Sequence, residues 1–236
     1  MMMKDRKKVL ITLLVASLIG LLGIIFYYKY QSDHYVKTED ARVAADTVSV
    51  TPQISGNIID WNISEGDTVT KGQILGHQDL FTMSTSSAVN TQLLTSSGSI
   101  LAQKAVITAP ISGRVIKSNV IVGQMAAQGQ VLAIIADTKN LYISANIKET
   151  EVSKLKIGQT VDVKIDAKPG KIYKGRVEEI GQATASTFSI LPQSNTGGNY
   201  IKVIQVIPVK IKLINIDADA EGLKIGMNAY VKIHIK

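Results

Sequence analysis

The chain has 236 residues, 45% of them hydrophobic but only 5% aromatic, and it carries 26 Lys and Arg against 19 Asp and Glu. Cysteine is absent, which excludes disulfides, thiolate metal sites and cysteine nucleophiles. The positive surplus does not read as a nucleic-acid surface. Lys202, Lys210, Lys212 and Lys232 alternate with apolar residues, as on a solvated strand face, and lack interleaved aromatics.

The first element is a membrane span. Residues 9–28 form a charge-free apolar run of 20 residues, which as a helix covers about 30 Å, the thickness of the hydrocarbon core. Lys4, Arg6, Lys7 and Lys8 precede it, and Tyr27, Tyr28 and Tyr30 follow as an interfacial belt. This pattern predicts a cytoplasmic tail over 1–8, one transmembrane helix over 9–28, and an extracytoplasmic remainder. A cleaved signal peptide is the competing reading, but Tyr-Tyr-Lys-Tyr is a poor cleavage site.

Residues 29–45 read as a polar tether and an entry strand. Beyond them the chain repeats itself: residues 54–75 (ISGNIIDWNISEGDTVTKGQIL) align without a gap on 111–132 (ISGRVIKSNVIVGQMAAQGQVL) at an offset of 57. Gly56, Gly66 and Gly72 meet Gly113, Gly123 and Gly129. Glycine suits hairpin turns because positive φ strains other residues. Each copy predicts a strand around 57–63, a turn at Gly66-Asp67 and a strand after Gly72, or their counterparts. One such copy has an apolar face and nothing to bury it against, so two are expected to close a small β-sandwich from 46–80 and 106–137.

The insert at 81–105 has ten Ser or Thr residues, one charge at Lys104 and no sustained heptads. A stub helical hairpin with arms of about three turns and an irregular loop are both open there. Beyond the second copy, residues 141–146 read as a strand and 148–156 as a short charged helix with Val152 and Leu155 inward. Residues 156–165 (KIGQTVDVKI) return as 224–233 (KIGMNAYVKI) at an offset of 68. With a Pro169-Gly170 turn, a strand over 173–180 and a long apolar segment over 201–214, residues 138–236 predict a small antiparallel β-barrel. Pro208 cannot donate to a ladder, so its strand is expected to bend, bulge or lie at an edge.

Several stretches resemble the HlyD and EmrA type of membrane fusion protein. They are the entry segment TEDARV at 38–43, the run VSVTPQISG at 48–56, and FSILP, TGGNYIK and VIQVIPV between 188 and 209. The resemblance covers nearly all of residues 38–236. Departures are Arg42 where relatives carry Tyr, Val206 where they carry Arg, and the short insert. The resemblance implies an N-terminal anchor, a split biotinyl/lipoyl-like sandwich, a barrel, and an adaptor role beside an integral-membrane transporter of the major facilitator or ABC class, with self-association. It places partner contacts at Phe188, Asn199 and Tyr200. Relatives that dock an outer-membrane channel carry an arginine at the hairpin tip, and the insert has none, so no such docking is expected and a cell without an outer membrane is the simpler host.

No catalytic constellation is apparent. His34, His77 and His234 are isolated in sequence, and nucleophile elbows, phosphate loops and dinucleotide fingerprints are missing. The expectation is therefore no enzyme, cofactor or metal. One rival is a lipoyl or biotin carrier, because Lys139 follows Leu132 at a carrier-like spacing. However, it reads A-D-T-K-N and leads into another domain.

Overall fold

The computed structural model describes residues 2–79, 103–188, 204–214, 216 and 222–235. It divides into two units. One spans 44–141; the other joins the N-terminal 43 residues to 142–219 and 223–236.

Helix α1 (Met2–His34) holds the apolar run and extends beyond the expected 9–28 at both ends, so the basic tail and the start of the tether are helical. Its stretch Leu14–Gln31 is long and apolar enough to cross a membrane, and no other described residue buries it. An uncovered stripe of Leu, Ile and Tyr all round a helix suits lipid and not water.

The 44–141 unit contains β2 (Thr47–Val50), β3 (Gly56–Trp61), β4 (Thr68–Val69), β5 (Ile74–Gln78), β6 (Val106–Thr108), β7 (Gly113–Ser118), β8 (Met125–Ala126) and β9 (Ala133–Ala136). They form two four-stranded sheets, β2-β9-β7-β4 and β6-β5-β3-β8. Adding 57 to the first-copy strands, and subtracting it from the second-copy strands, turns one sheet order into the other. Each sheet thus draws two strands from each copy, and neither copy can close alone. The core repeats too: Val50, Ile58, Val69 and Leu75 are buried together with Ile107, Val115, Ala126 and Leu132, their counterparts 57 residues on.

The second unit adds β1 (Tyr35–Ala44), β10 (Tyr142–Lys148), α2 (Glu149–Val152), β11 (Thr160–Ile165), β12 (Ile172–Ile180), a 3-10 turn (Ala185–Phe188), β13 (Val206–Ile214) and β14 (Asn228–His234). Six strands close a barrel in the order β1-β10-β13-β12-β11-β14. Leu155 is buried as expected of the charged helix segment, while Val152 is only half-buried.

The barrel also has a pseudo-twofold relation. The strands of the 68-residue repeat pair with each other, and Val163 lies opposite its own counterpart Val231. The repeat turns behave alike: Gly158 N donates to Val177 O and Gly226 N to Val43 O, both at 2.8 Å, with φ of 89° at each glycine. This symmetry makes β1 the counterpart of β12 and corrects the reading of residues 35–44. The entry segment is not a lead-in to the sandwich but a barrel strand, because without it the Gly226 turn and one edge of β14 would have no partner.

Pro208 does not sit at a sheet edge. It pairs with Asn146 in β10, and on the other side its carbonyl accepts from Gly181 at 2.8 Å where the β12 ladder runs out. The missing donor therefore falls where no bond is required. The bulge in that ladder lies between Val177 and Glu179 instead.

Candidate functional site

The glycines expected at turns divide into two kinds. Gly66 and Gly123 have φ of 94° and 90°, Gly72 and Gly129 have 83° and 81°, and a Cβ on any of them would meet open space. Their role is conformational. Gly56 and Gly113 are not turn residues. They open β3 and β7 without positive φ, and a Cβ would collide with the carbonyl oxygen of Asp79 or of Ala136. What they provide is close strand approach.

The turns are held in matching ways. Gln73 accepts from the Thr70 amide and Gln130 from the Ala127 amide, each at 3.0 Å. Ser112 accepts from the Lys71 amide at 2.8 Å and Ser55 from the Gln128 amide at 3.1 Å, so each copy's Ile-Ser-Gly serine holds the other copy's turn. The polar Ser and Gln of the motif thus act across the two copies.

The insert departs and returns on neighbouring strands. Gln78 N donates to Ala105 O at 2.9 Å and His77 lies opposite Val106, so the strands that flank the insert pair with each other. Residues 80–102 lie outside the described residues, as do Asn199, Tyr200 and the Phe188 side chain. Gln78 itself, 2% exposed, donates to the carbonyls of Gly56 and Ala126 at 3.3 and 3.5 Å, tying β5 to β3 and β8 at the root of the insert. The sequence reading missed this residue, although its counterpart at the 57-residue offset is Ile135, and a polar residue at an apolar repeat position was the available signal.

The sandwich exterior is unequal between copies. Ile121 and Val122 occupy the turn where the first copy has Ser64 and Glu65, and with Met125 and Ile59 on adjacent strands they leave large apolar side chains in water.

On the barrel, the entry motif TEDARV folds around Asn146. Thr38 Oγ1 donates to the Asn146 carbonyl at 2.9 Å, and the Asn146 amide donates to Asp40 Oδ2 at 2.9 Å across a bulge between Thr38 and Ala41. At the end where α1 becomes β1, Asp162 accepts from Lys174 at 2.5 Å and from His234 Nε2 at 3.0 Å. Burial pushes the Asp162 carboxyl up, but the hydrogen bonds and charges of Lys174 and His234 outweigh it and hold the pKa below its ordinary value. His77 bonds Asp60 at 2.8 Å, and His34 bonds the Tyr30 carbonyl at 2.9 Å. Among the described residues no three His, Asp or Glu side chains converge as a metal set. Lys139 is exposed in a turn whose amide donates to Asp137 at 3.0 Å, after β9 and before β10. A carrier lysine would instead sit on a hairpin between two half-motif strands.

Residues 46–138 match the family description RND MFP, barrel-sandwich hybrid domain, and residues 141–233 the YknX-like β-barrel domain. The chain is 38% identical over 228 residues to the Bacillus subtilis (strain 168) protein YhbJ, described as an efflux system component, covering 94% of this chain and 92% of that one. It is 37% identical over 134 residues to the multidrug export protein EmrA of Haemophilus influenzae, covering 56% of this chain but 34% of that protein. Among solved structures, the membrane fusion protein Spr0693 of Streptococcus pneumoniae R6 shares the fold with a TM-score of 0.60 at 16% identity, over 86% of this chain and 99% of that one. The periplasmic adaptor protein EmrA does so with a TM-score of 0.51 at 15% identity, over the same shares. A sandwich split by an insert, followed by a six-stranded barrel carrying an N-terminal apolar helix, makes this chain a member of the membrane fusion protein family of efflux components.

Proposed function

We propose that the chain is a single-pass adaptor that assists export of drugs or other small amphipathic compounds by a partner transporter in the same membrane. The observation that carries this reading is the continuity of α1 into the barrel: Ile235 N donates to His34 O at 2.8 Å, so the last helical residue is already part of the barrel's hydrogen bonding. A β domain joined this closely to a membrane span is held at the membrane surface, where a transporter's mouth lies. Lys4, Arg6, Lys7 and Lys8 support a cytoplasmic N-terminus with the β domains outside.

The partner is a polytopic transporter of the major facilitator class, in line with relatives named EmrA, and an ABC exporter is the second reading. Copies associate side by side, and the Ile59, Ile121, Val122 and Met125 surface supplies apolar contact area. By the family resemblance, Phe188, Asn199 and Tyr200 are the residues assigned to partner contact. The adaptor carries no cofactor and catalyses no reaction. Its insert is too short to reach an outer-membrane channel: even a fully helical arm of about ten residues would extend only about 15 Å. A host without an outer membrane is the simpler reading than a second protein that supplies the missing length.

Cross-linking of the full chain in its native cell tests this directly. A polytopic transporter and other copies of the chain are expected. Capture of copies alone would reject the adaptor role, and an outer-membrane channel bound at the insert would reject the short-reach reading. Protease added to intact cells or right-side-out spheroplasts should remove the β domains and spare the N-terminus; full protection would invert the topology.

A further inference from the structure

Beside the exit of α1 the outer face of the barrel presents a compact patch. Tyr35 and Lys37 of β1 lie opposite His234 and Lys232 of β14, and Val36 and Ile233 between them point inward. Lys37 and Lys232 are thus direct cross-strand neighbours, and like charges in that position destabilise a sheet unless something compensates. Among the described residues neither lysine makes an ion pair, although Glu39 follows Lys37 by two residues on β1. Lys37 Nζ bonds the neutral Gln31 Oε1, and Lys232 Nζ stands 3.7 Å from the centroid of the Tyr35 ring. Asp162, opposite Lys232 on β11, is engaged by Lys174 and His234. Two lysines side by side, whose cross-strand carboxylate Asp162 is already bonded by Lys174 and His234, leave a place for an external anion.

Where the patch sits identifies that anion. Gln31, which holds Lys37, lies three residues beyond Tyr28, the end of the charge-free apolar run. Tyr35 follows Tyr28 by seven residues, about 10 Å further along the helix rise, so the patch sits just outside the headgroup layer that borders the hydrocarbon core, within reach of lysine stems that snorkel toward it. Tyr30 stacks on His34 with ring centroids 4.0 Å apart, and Tyr35 meets His234 edge-on at 5.1 Å, the amphipathic rings expected at that depth.

We propose that Lys37 and Lys232, framed by Tyr35 and His234, bind the headgroup phosphate of an anionic phospholipid in the leaflet from which α1 emerges. The proposal rests on the reading of α1 as a membrane anchor. Lipid bound there fixes the barrel against the bilayer and so sets its tilt over the neighbouring transporter.

Native mass spectrometry of the full chain in neutral detergent, with phosphatidylglycerol and phosphatidylcholine of equal acyl length added, tests it. The wild type is expected to retain phosphatidylglycerol at least tenfold better. Each lysine near a membrane surface contributes about fivefold, so Lys37→Gln with Lys232→Gln should weaken retention by roughly 30-fold. Lys164→Gln with Lys168→Gln, which removes the same charge elsewhere on the barrel, should leave it unchanged, and Lys37→Arg with Lys232→Arg should preserve it. Equal retention of the two lipids by the wild type overturns the proposal, as does undiminished retention by the double glutamine variant. If that variant loses its cooperative melt, the single Lys37→Gln variant, expected near fivefold weaker, decides in its place. Carbodiimide coupling of Lys37 to a transporter carboxylate in place of a lipid preference would also overturn it. Alkaline carbonate extraction of native membranes separates the two readings: release of the chain rejects the anchor, whereas retention without a phosphatidylglycerol preference rejects only the lipid site.

Discussion

Trp61 Nε1 donates to Ser118 Oγ at 2.9 Å, and the two residues are 57 apart, equivalent positions of the two sandwich copies touching one another. A contact between equivalents lies on the local twofold axis, so this bond reports directly on how the copies meet. Ser118→Ala should cost about 1 kcal/mol, the usual net value of one such hydrogen bond. Trp61→Phe should cost a similar amount, and a double-mutant cycle by urea unfolding should show the two losses coupled. Additive losses would mean that the bond contributes nothing across the axis.

The glycines predict two sizes of effect. Gly66→Val and Gly123→Val meet no atoms but force a side chain to positive φ, which costs about 1 to 2 kcal/mol each. Gly113→Ala has an ordinary φ yet drives its Cβ into the Ala136 carbonyl, so β7 and β9 must separate and the loss should exceed that of either turn variant. Equilibrium denaturation of the three variants ranks them; a Gly113→Ala midpoint equal to wild type would contradict the close approach.

Residues 80–102 can be removed without unfolding the sandwich, because the core is built from the flanking copies. The cut must stop before Ala105, which is 6% exposed and whose carbonyl accepts from Gln78. Joining Asp79 to Gln103 through a short turn shortens the closing loop and changes its entropy by roughly 1.5 kcal/mol. A single cooperative transition should survive; its loss would count against the pairing of the copies.

Acid should weaken the barrel through Asp162. Its folded pKa lies below the ordinary value, so the folded protein binds fewer protons than the unfolded chain in the window between the two. The contribution is fully present above the ordinary carboxylate range and is lost as pH falls through the folded value. Lys174 is largely exposed, so the effect should stay under about 1 kcal/mol. The urea midpoints of wild type and Asp162→Asn should therefore differ at pH 7 and converge towards pH 3. A constant gap would show that the ion pair contributes nothing.

The sequence alone determined what is local or repeated. The 57-residue offset located the sandwich strands and turns, because a repeat preserves the spacing of positive-φ glycines and inward side chains. The apolar run located the helix, since length and charge alone decide whether a segment can cross a bilayer. Only the tertiary structure decided which strand lies beside which. Nothing in the alternation of residues 35–44 distinguishes an entry to the sandwich from a barrel strand; that choice was made by the Gly226 turn and the β14 edge, nearly 190 residues away, which needed a partner. Gly56 and Gly113 look like turn glycines in sequence and act as points of strand contact, because a carbonyl from a distant strand occupies the space a Cβ would fill. The same holds for Lys37 and Lys232, whose adjacency comes from register between the two ends of the chain, a quantity that no local pattern carries.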